Sequence, residues 1–181
     1  MPRSPSTIAA AIHGYGVAVR VGVLCACLLV PALTAAPASA QLGQSISFVD
    51  ADGTVVAELD REALEDIGRF EVSTRTPWDD GVVSFEGPLL RDLADAVGFD
   101  DAAIAVHALN DYSSEIPLSD MRDLDVILAV RKDGEYMPIS DMGPAFVVYP
   151  YDSDARLRDR VYYARSVWQV ARIQELPSGG E

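Results

Sequence analysis

Six residues, Asn110-Asp111-Tyr112-Ser113-Ser114-Glu115, interrupt two apolar stretches, Ile104 to Leu109 before them and Ile116-Pro117-Leu118 after. Asp111 and Glu115 have the composition of an acid–base pair, in which one carboxylate takes a proton and the other returns it. Ser113 and Ser114 would need a base, and the candidate is His107, six residues upstream of the first. No nucleophile-elbow glycines surround these serines, so serine hydrolysis is not expected. Asn, Asp and Ser also build turns through local side chain–backbone hydrogen bonds, and that is the expected role of the two carboxylates. His107, flanked by Val106 and Ala108, suits a packed or half-exposed strand position.

Other candidates lie on either side. Trp78 and Trp168 are explained equally by core packing and by ligand stacking. Arg156, Arg158, Arg160, Arg165 and Arg172 either form one positive patch suited to an anion or are separately solvated; composition leaves both open.

Arg3 and Arg20 precede an apolar run, Val21 to Leu33, and Ala38-Ser39-Ala40 has the small-residue pattern of a cleavage site. The run is shorter than the roughly 20 residues that span a bilayer. The expectation is a signal peptide over 1–40 cut after Ala40, a mature start at Gln41, a periplasmic or secreted location, and no membrane insertion after cleavage. Cys25, Cys27 and His13 would leave with that segment, so the mature chain holds no thiol and one imidazole, His107. This excludes disulfides, iron–sulfur clusters, cysteine nucleophiles and a His/Cys zinc site. It would keep 12 of the 14 basic residues and all 28 acidic ones, a net charge of −16, which argues against nucleic acid as a partner.

The elements that must position these groups are legible in part. Ser45–Val49 and Thr54–Leu59 read as strands around an Asp50-Ala-Asp-Gly53 turn. Asp60 caps a short helix, Arg61 to Ile67. Phe70–Thr74 and Val82–Phe85 are strands, and Leu89, Leu90, Leu93, Ala94 and Val97 recur at helical spacing up to Gly98. Leu118 to Asp123 reads as a helical turn. Val126–Val130 is a strand buried on both faces, Lys132-Asp133-Gly134-Glu135 is a hairpin turn, and Ala145–Tyr149 is another strand. Asp152–Asp159 reads as a surface loop or short helix, and Tyr162–Ile173 as a last strand and its continuation. The expected architecture is α+β, a mostly β mixed sheet with a few short helices, in one domain over 41–176 with a disordered tail over 177–181.

Three segments, in order, resemble the sulfite-oxidase-type molybdopterin-binding domain family. Thr74-x-x-Pro77-Trp78, with Val83-Ser-Phe-Glu-Gly87-Pro-Leu-Leu-Arg-Asp-Leu93, is similar to the family's Cys-x-x-Gly-Trp and Trp-x-Gly-Val-x-Leu-x-x-Leu. Ala108-x-Asn-Asp-Tyr112-Ser113, with Ile116-Pro117-Leu118, resembles its Asp-Gly-Tyr-Ser and Ile-Pro-Leu pattern. Gly143-Pro144, Val147-Val148-Tyr149-Pro150 and Arg165-Ser166-Val167 resemble its closing strands and Lys-Ser-Val segment. The resemblance implies the family's fold, and a cofactor cleft formed by Thr74, Arg75, Trp78, Asn110, Asp111, Tyr112, Ser113 and Arg165.

It also implies a loss. The family's molybdenum-binding cysteine falls at Thr74, and a threonine hydroxyl is a poor substitute for a thiolate. The family's glycine before the tryptophan is Pro77, which lacks an N–H. The expectation is therefore a non-redox member with no cofactor and no metal. It would bind a small anionic ligand, or present its cleft to a periplasmic protein, a membrane sensor or a redox partner. The other reading is a working molybdopterin-dependent oxidoreductase with a non-cysteine metal ligand.

Overall fold

The computed structural model describes residues 45–99 and 103–177, all within one compact unit, Pro37–Glu181. The expected signal peptide, the mature start and residues 178–181 of the tail lie outside them.

The chain enters as an antiparallel hairpin, β1 (Ile46–Val49) and β2 (Val55–Leu59). Its turn is held by Asp50, whose carboxylate accepts from the Asp52 and Thr54 amides. Asp60 caps α1 (Arg61–Ile67) by accepting from the Ala63 amide at 2.9 Å. Strands β3 (Phe70–Arg75) and β4 (Val82–Gly87) pair antiparallel, and α2 (Leu90–Val97) ends on the left-handed Gly98. Strands β5 (Ile104–Ala108) and β6 (Ser113–Ile116) form the next hairpin, followed by α3 (Leu118–Asp123). β7 (Ile127–Ala129), β8 (Arg131–Lys132), β9 (Glu135–Tyr136) and β10 (Phe146–Val148) lead to a 3-10 turn at Ala155–Leu157. α4 (Arg160–Arg165) and β11 (Val170–Glu175) close the chain.

The strands make a five-stranded sheet in the order β2-β1-β11-β5-β6, a four-stranded sheet β3-β4-β8-β9, and the pair β10-β7. Among the described residues, only β1 and β11 run parallel within these sheets. This is the α+β, largely β architecture expected.

The β7–β10 pair explains the two continuous apolar runs. Leu128, Val130, Val147 and Tyr149 face a core that includes Phe48, Leu64, Leu93 and Val106. Their neighbours Ile127, Ala129, Phe146 and Val148 face a second core with Val72, Val83 and Phe85. A strand covered on both sides has no polar face to alternate with, so its sequence reads as unbroken Val, Ile, Leu and Ala.

Two segments differ from expectation. Arg160–Arg165 is helical, whereas the sequence over Tyr162–Ile173 reads as a last strand and its continuation; Asp159 caps the helix by accepting from the Val161 amide, and the strand begins only at Val170, after Gln169 at φ 54. Ser113–Ile116 is the edge strand β6, paired with β5, and its outward positions tolerate Ser and Glu because they face water.

One ion pair ties α1 to the β8–β9 hairpin. Arg131 forks onto Glu65 at 2.5 and 3.3 Å, the Tyr136 hydroxyl donates to the same carboxylate at 2.8 Å, and the guanidinium lies 3.7 Å over the Tyr136 ring. The Arg131 hydrogen bond holds the Glu65 carboxyl below its ordinary value despite partial burial. In the unfolded chain Glu65 binds a proton more readily, so this contribution to stability is full above pH 4.5 and is lost as pH falls through the lowered folded value. Urea unfolding of wild type and Glu65→Gln should show a wild-type advantage at pH 7 that shrinks on acidification. An advantage independent of pH would contradict this.

Candidate functional site

The Leu109–Tyr112 segment is the turn between β5 and β6. Ala108 donates its amide to the Tyr112 carbonyl at 2.8 Å, Asn110 Oδ1 accepts from the Tyr112 amide at 3.1 Å, and Asp111 takes φ 65. The stretch of carboxylates is therefore an Asx turn with a left-handed aspartate, a conformation Asp tolerates better than most residues. Glu115 stands in β6 opposite Ala105, in a different element from Asp111. His107 is half-buried in β5, its Nε2 3.4 Å from Arg172, and burial first and that guanidinium second push its pKa down.

The Tyr112 hydroxyl crosses to α4, donating to the Ala164 carbonyl at 2.7 Å. Between this turn, the β3–β4 loop and the α4–β11 connection lies a cleft of about 240 Å³. Trp78, Tyr163 and Trp168 line it with Tyr112, Asn110 and Ser166. The Trp78 ring meets Trp168 edge-on at 5.3 Å and 73°, and Tyr163 at 6.1 Å and 75°. Both tryptophans also rest on Phe146, which anchors these walls to the second core.

Of the residues expected to share a cleft, the structure brings Trp78, Asn110 and Tyr112 to this one. Thr74, Arg75, Asp111, Ser113 and Arg165 are not among its lining residues. Thr74 is fully buried in β3, and its Oγ1 accepts from the Asp152 amide at 3.0 Å. Asp152 in turn receives the Arg75 amide at 3.1 Å and its guanidinium at 3.2 Å, with Arg158 at 2.5 Å on the other oxygen. Burial raises the Asp152 carboxyl, and the hydrogen bonds from Arg158 and the Arg75 amide outweigh it, so its pKa is lowered. Ser113 is exposed in β6, and Asp111 is exposed in the turn.

Arg165 points elsewhere too. It donates to Asp120 at 2.7 Å, and the same carboxylate oxygen accepts from the buried Tyr149 hydroxyl at 2.9 Å. Burial, then the Asp120 charge, push the Tyr149 phenol up. Arg156 is held by Asp154. The arginines expected to meet an anion are thus largely matched within the protein: Arg75, Arg156, Arg158 and Arg165 each hold an aspartate. Sequence reasoning missed Tyr163, which it placed in the last strand and its continuation; on α4 its ring meets Trp78, and Ser166, named there only for the resemblance, is the C-cap of that helix. It also missed Asp120, whose partner lies 45 residues away.

Residues 57–153 match the model of the oxidoreductase molybdopterin-binding domain. The chain belongs to that family. The fold agrees: the sulfane dehydrogenase SoxCD from Paracoccus pantotrophus is similar over 75% of this chain, at 15% identity and a TM-score of 0.53. The aligned part is 38% of the SoxCD chain, so the likeness spans well under half of that chain. No curated protein matches the chain.

The residues present do not suit the family's molybdenum cofactor. Cys25 and Cys27, the chain's two cysteines, lie outside the described residues, and the Thr74 hydroxyl is already engaged by a backbone amide. No lysine or arginine lines the cleft among the described residues, so a pterin phosphate would enter without a counter-charge.

Proposed function

We propose that this chain is an exported, non-redox member of the molybdopterin-binding domain family, a binding module whose aromatic cleft holds a small ligand or a partner's side chain. One observation carries the reading: the residue at the family's metal-ligand position, Thr74, is sealed in β3 and spends its hydroxyl on the Asp152 loop. A ligand position that has become an internal clasp supports the fold outliving the redox chemistry. The anionic ligand expected from the arginines has less support, because Arg75, Arg156, Arg158 and Arg165 are paired with Asp152, Asp154 and Asp120.

Export rests on Arg3, Arg20, the Val21–Leu33 run and the Ala38-Ser39-Ala40 site. No described helix is long and apolar enough to cross a membrane. A partner in the exporting compartment, such as a membrane sensor or redox protein, belongs to the same proposal.

Family membership favours a second reading, a working oxidoreductase with a non-cysteine metal ligand. The two separate in one measurement. Protein purified from the exporting compartment of a molybdenum-replete host is expected to carry neither molybdenum nor pterin in stoichiometric amount. One molybdenum and its pterin per chain would overturn the binding-module reading.

A further inference from the structure

Resting on the binding-module reading, we propose that the cleft is an aromatic cage for a quaternary ammonium group, carried by a small choline-like ligand. A flat ligand is gripped by rings that face each other across a gap. Here Trp78 touches Trp168 and Tyr163 directly, with planes turned by 73° and 75°, so neither pair leaves a slot for a plane. Walls set nearly at right angles suit a rounded group that meets several rings at once. A methylated ammonium is such a group, and the negative ring faces attract its charge.

The surrounding charge points the same way. No cationic side chain lines the cleft among the described residues. Arg165, the chain neighbour of Ser166, is neutralised by Asp120 at 2.7 Å. Asp111, the chain neighbour of Asn110, is exposed, and the whole chain carries a net charge of −14. No charged side chain of either sign lines the cleft among the described residues, and the net negative charge of the chain favours the approach of a cation over that of an anion.

Size and polarity set the rest of the ligand. About 240 Å³ lies below the usual range for drug-sized ligands, so the occupant is small. The Ser166 hydroxyl is engaged, donating to the Tyr162 carbonyl at 2.8 Å and sharing a short hydrogen bond with Tyr151. Asn110 supplies the side-chain amide in the lining, placed to meet a hydroxyl or other polar tail on the ligand.

The test uses tryptophan fluorescence and calorimetry on the purified exported protein, with choline, tetramethylammonium, the neutral tert-butyl isostere of choline, and indole. Choline is expected to bind about tenfold or more tightly than its isostere, the size of a desolvated cation–π contact. Trp168→Phe should keep most of that preference, and Trp168→Leu should lose it. Because Trp168→Leu could perturb folding, the choline-against-isostere comparison on wild type decides by itself. Equal binding of the isostere, tighter binding of indole, or no saturable binding of either onium ion would overturn the cage and leave the binding-module reading standing. Stoichiometric molybdenum and pterin would instead overturn that reading, so the two failures are distinguishable.

Discussion

Replacing Asp120 with alanine is expected to destabilise the protein by about 3 to 5 kcal/mol, the cost of breaking a buried ion pair from one side. The Asp120 side chain is 8% exposed and Arg165 24%, so the guanidinium would be left largely desolvated without its partner. The fully buried Tyr149 hydroxyl would lose its acceptor in the same step. Together these should lower the melting temperature by about 10 °C for a domain of this size. Asp120→Asn, which keeps the shape and one acceptor for Tyr149, should lose less.

The cost comes from the orphaned charge rather than from the value of the pair, and this has a consequence. The double variant Asp120→Leu, Arg165→Met should recover much of the loss, because apolar replacement of both partners removes the uncompensated charge. Urea unfolding of the single and double variants measures the coupling. A single variant within about 1 kcal/mol of wild type would show that water reaches Arg165 freely and that the pair behaves as a surface one.

Gly87→Ala is expected to be as damaging by a different route. The end of β4 is stitched to β7 by backbone hydrogen bonds: Val130 donates to Glu86, Leu128 to Pro88, and Leu90 to Val126. Gly87 lies in the middle of this seam, and a Cβ there would sit 2.1 Å from the Leu128 carbonyl oxygen and 2.9 Å from the Ala129 Cα. Backbone cannot rotate away as a side chain can, so the strands would have to separate where both cores meet. The expected loss is about 3 kcal/mol or more, at the upper end for overpacking. Gly68→Ala is the control: nothing lies within 4 Å of its Cβ position, and its φ of 173° is ordinary extended backbone. It should stay within about 0.5 kcal/mol of wild type. Similar melting temperatures for the two variants would refute the steric account.

The local elements were largely readable because their causes are local. The Asp50 turn, the Asp60 cap, the spacing of Leu89 to Val97 before Gly98, and the Asp133-Gly134 hairpin each depend on residues a few positions apart. The family likeness was readable too, since its motifs are short runs in a fixed order. The buried runs Val126–Val130 and Ala145–Tyr149 also declared themselves, because two covered faces leave no polar residue in the pattern.

What only the tertiary structure decided is where the polar groups end up. The sequence determined that a threonine stands at position 74 and that several arginines follow residue 155; it did not determine what those groups touch. Thr74 reaches Asp152 across 78 residues and Arg165 reaches Asp120 across 45, separations at which no local pattern links the partners. The fold pairs Arg75, Arg156, Arg158 and Arg165 with aspartates, which the arginine count did not show. It leaves Trp78, Tyr163 and Trp168, drawn from two distant segments, to form the walls of the cleft. Propensity is a property of neighbours along the chain, while charge neutralisation and ring packing are properties of neighbours in space.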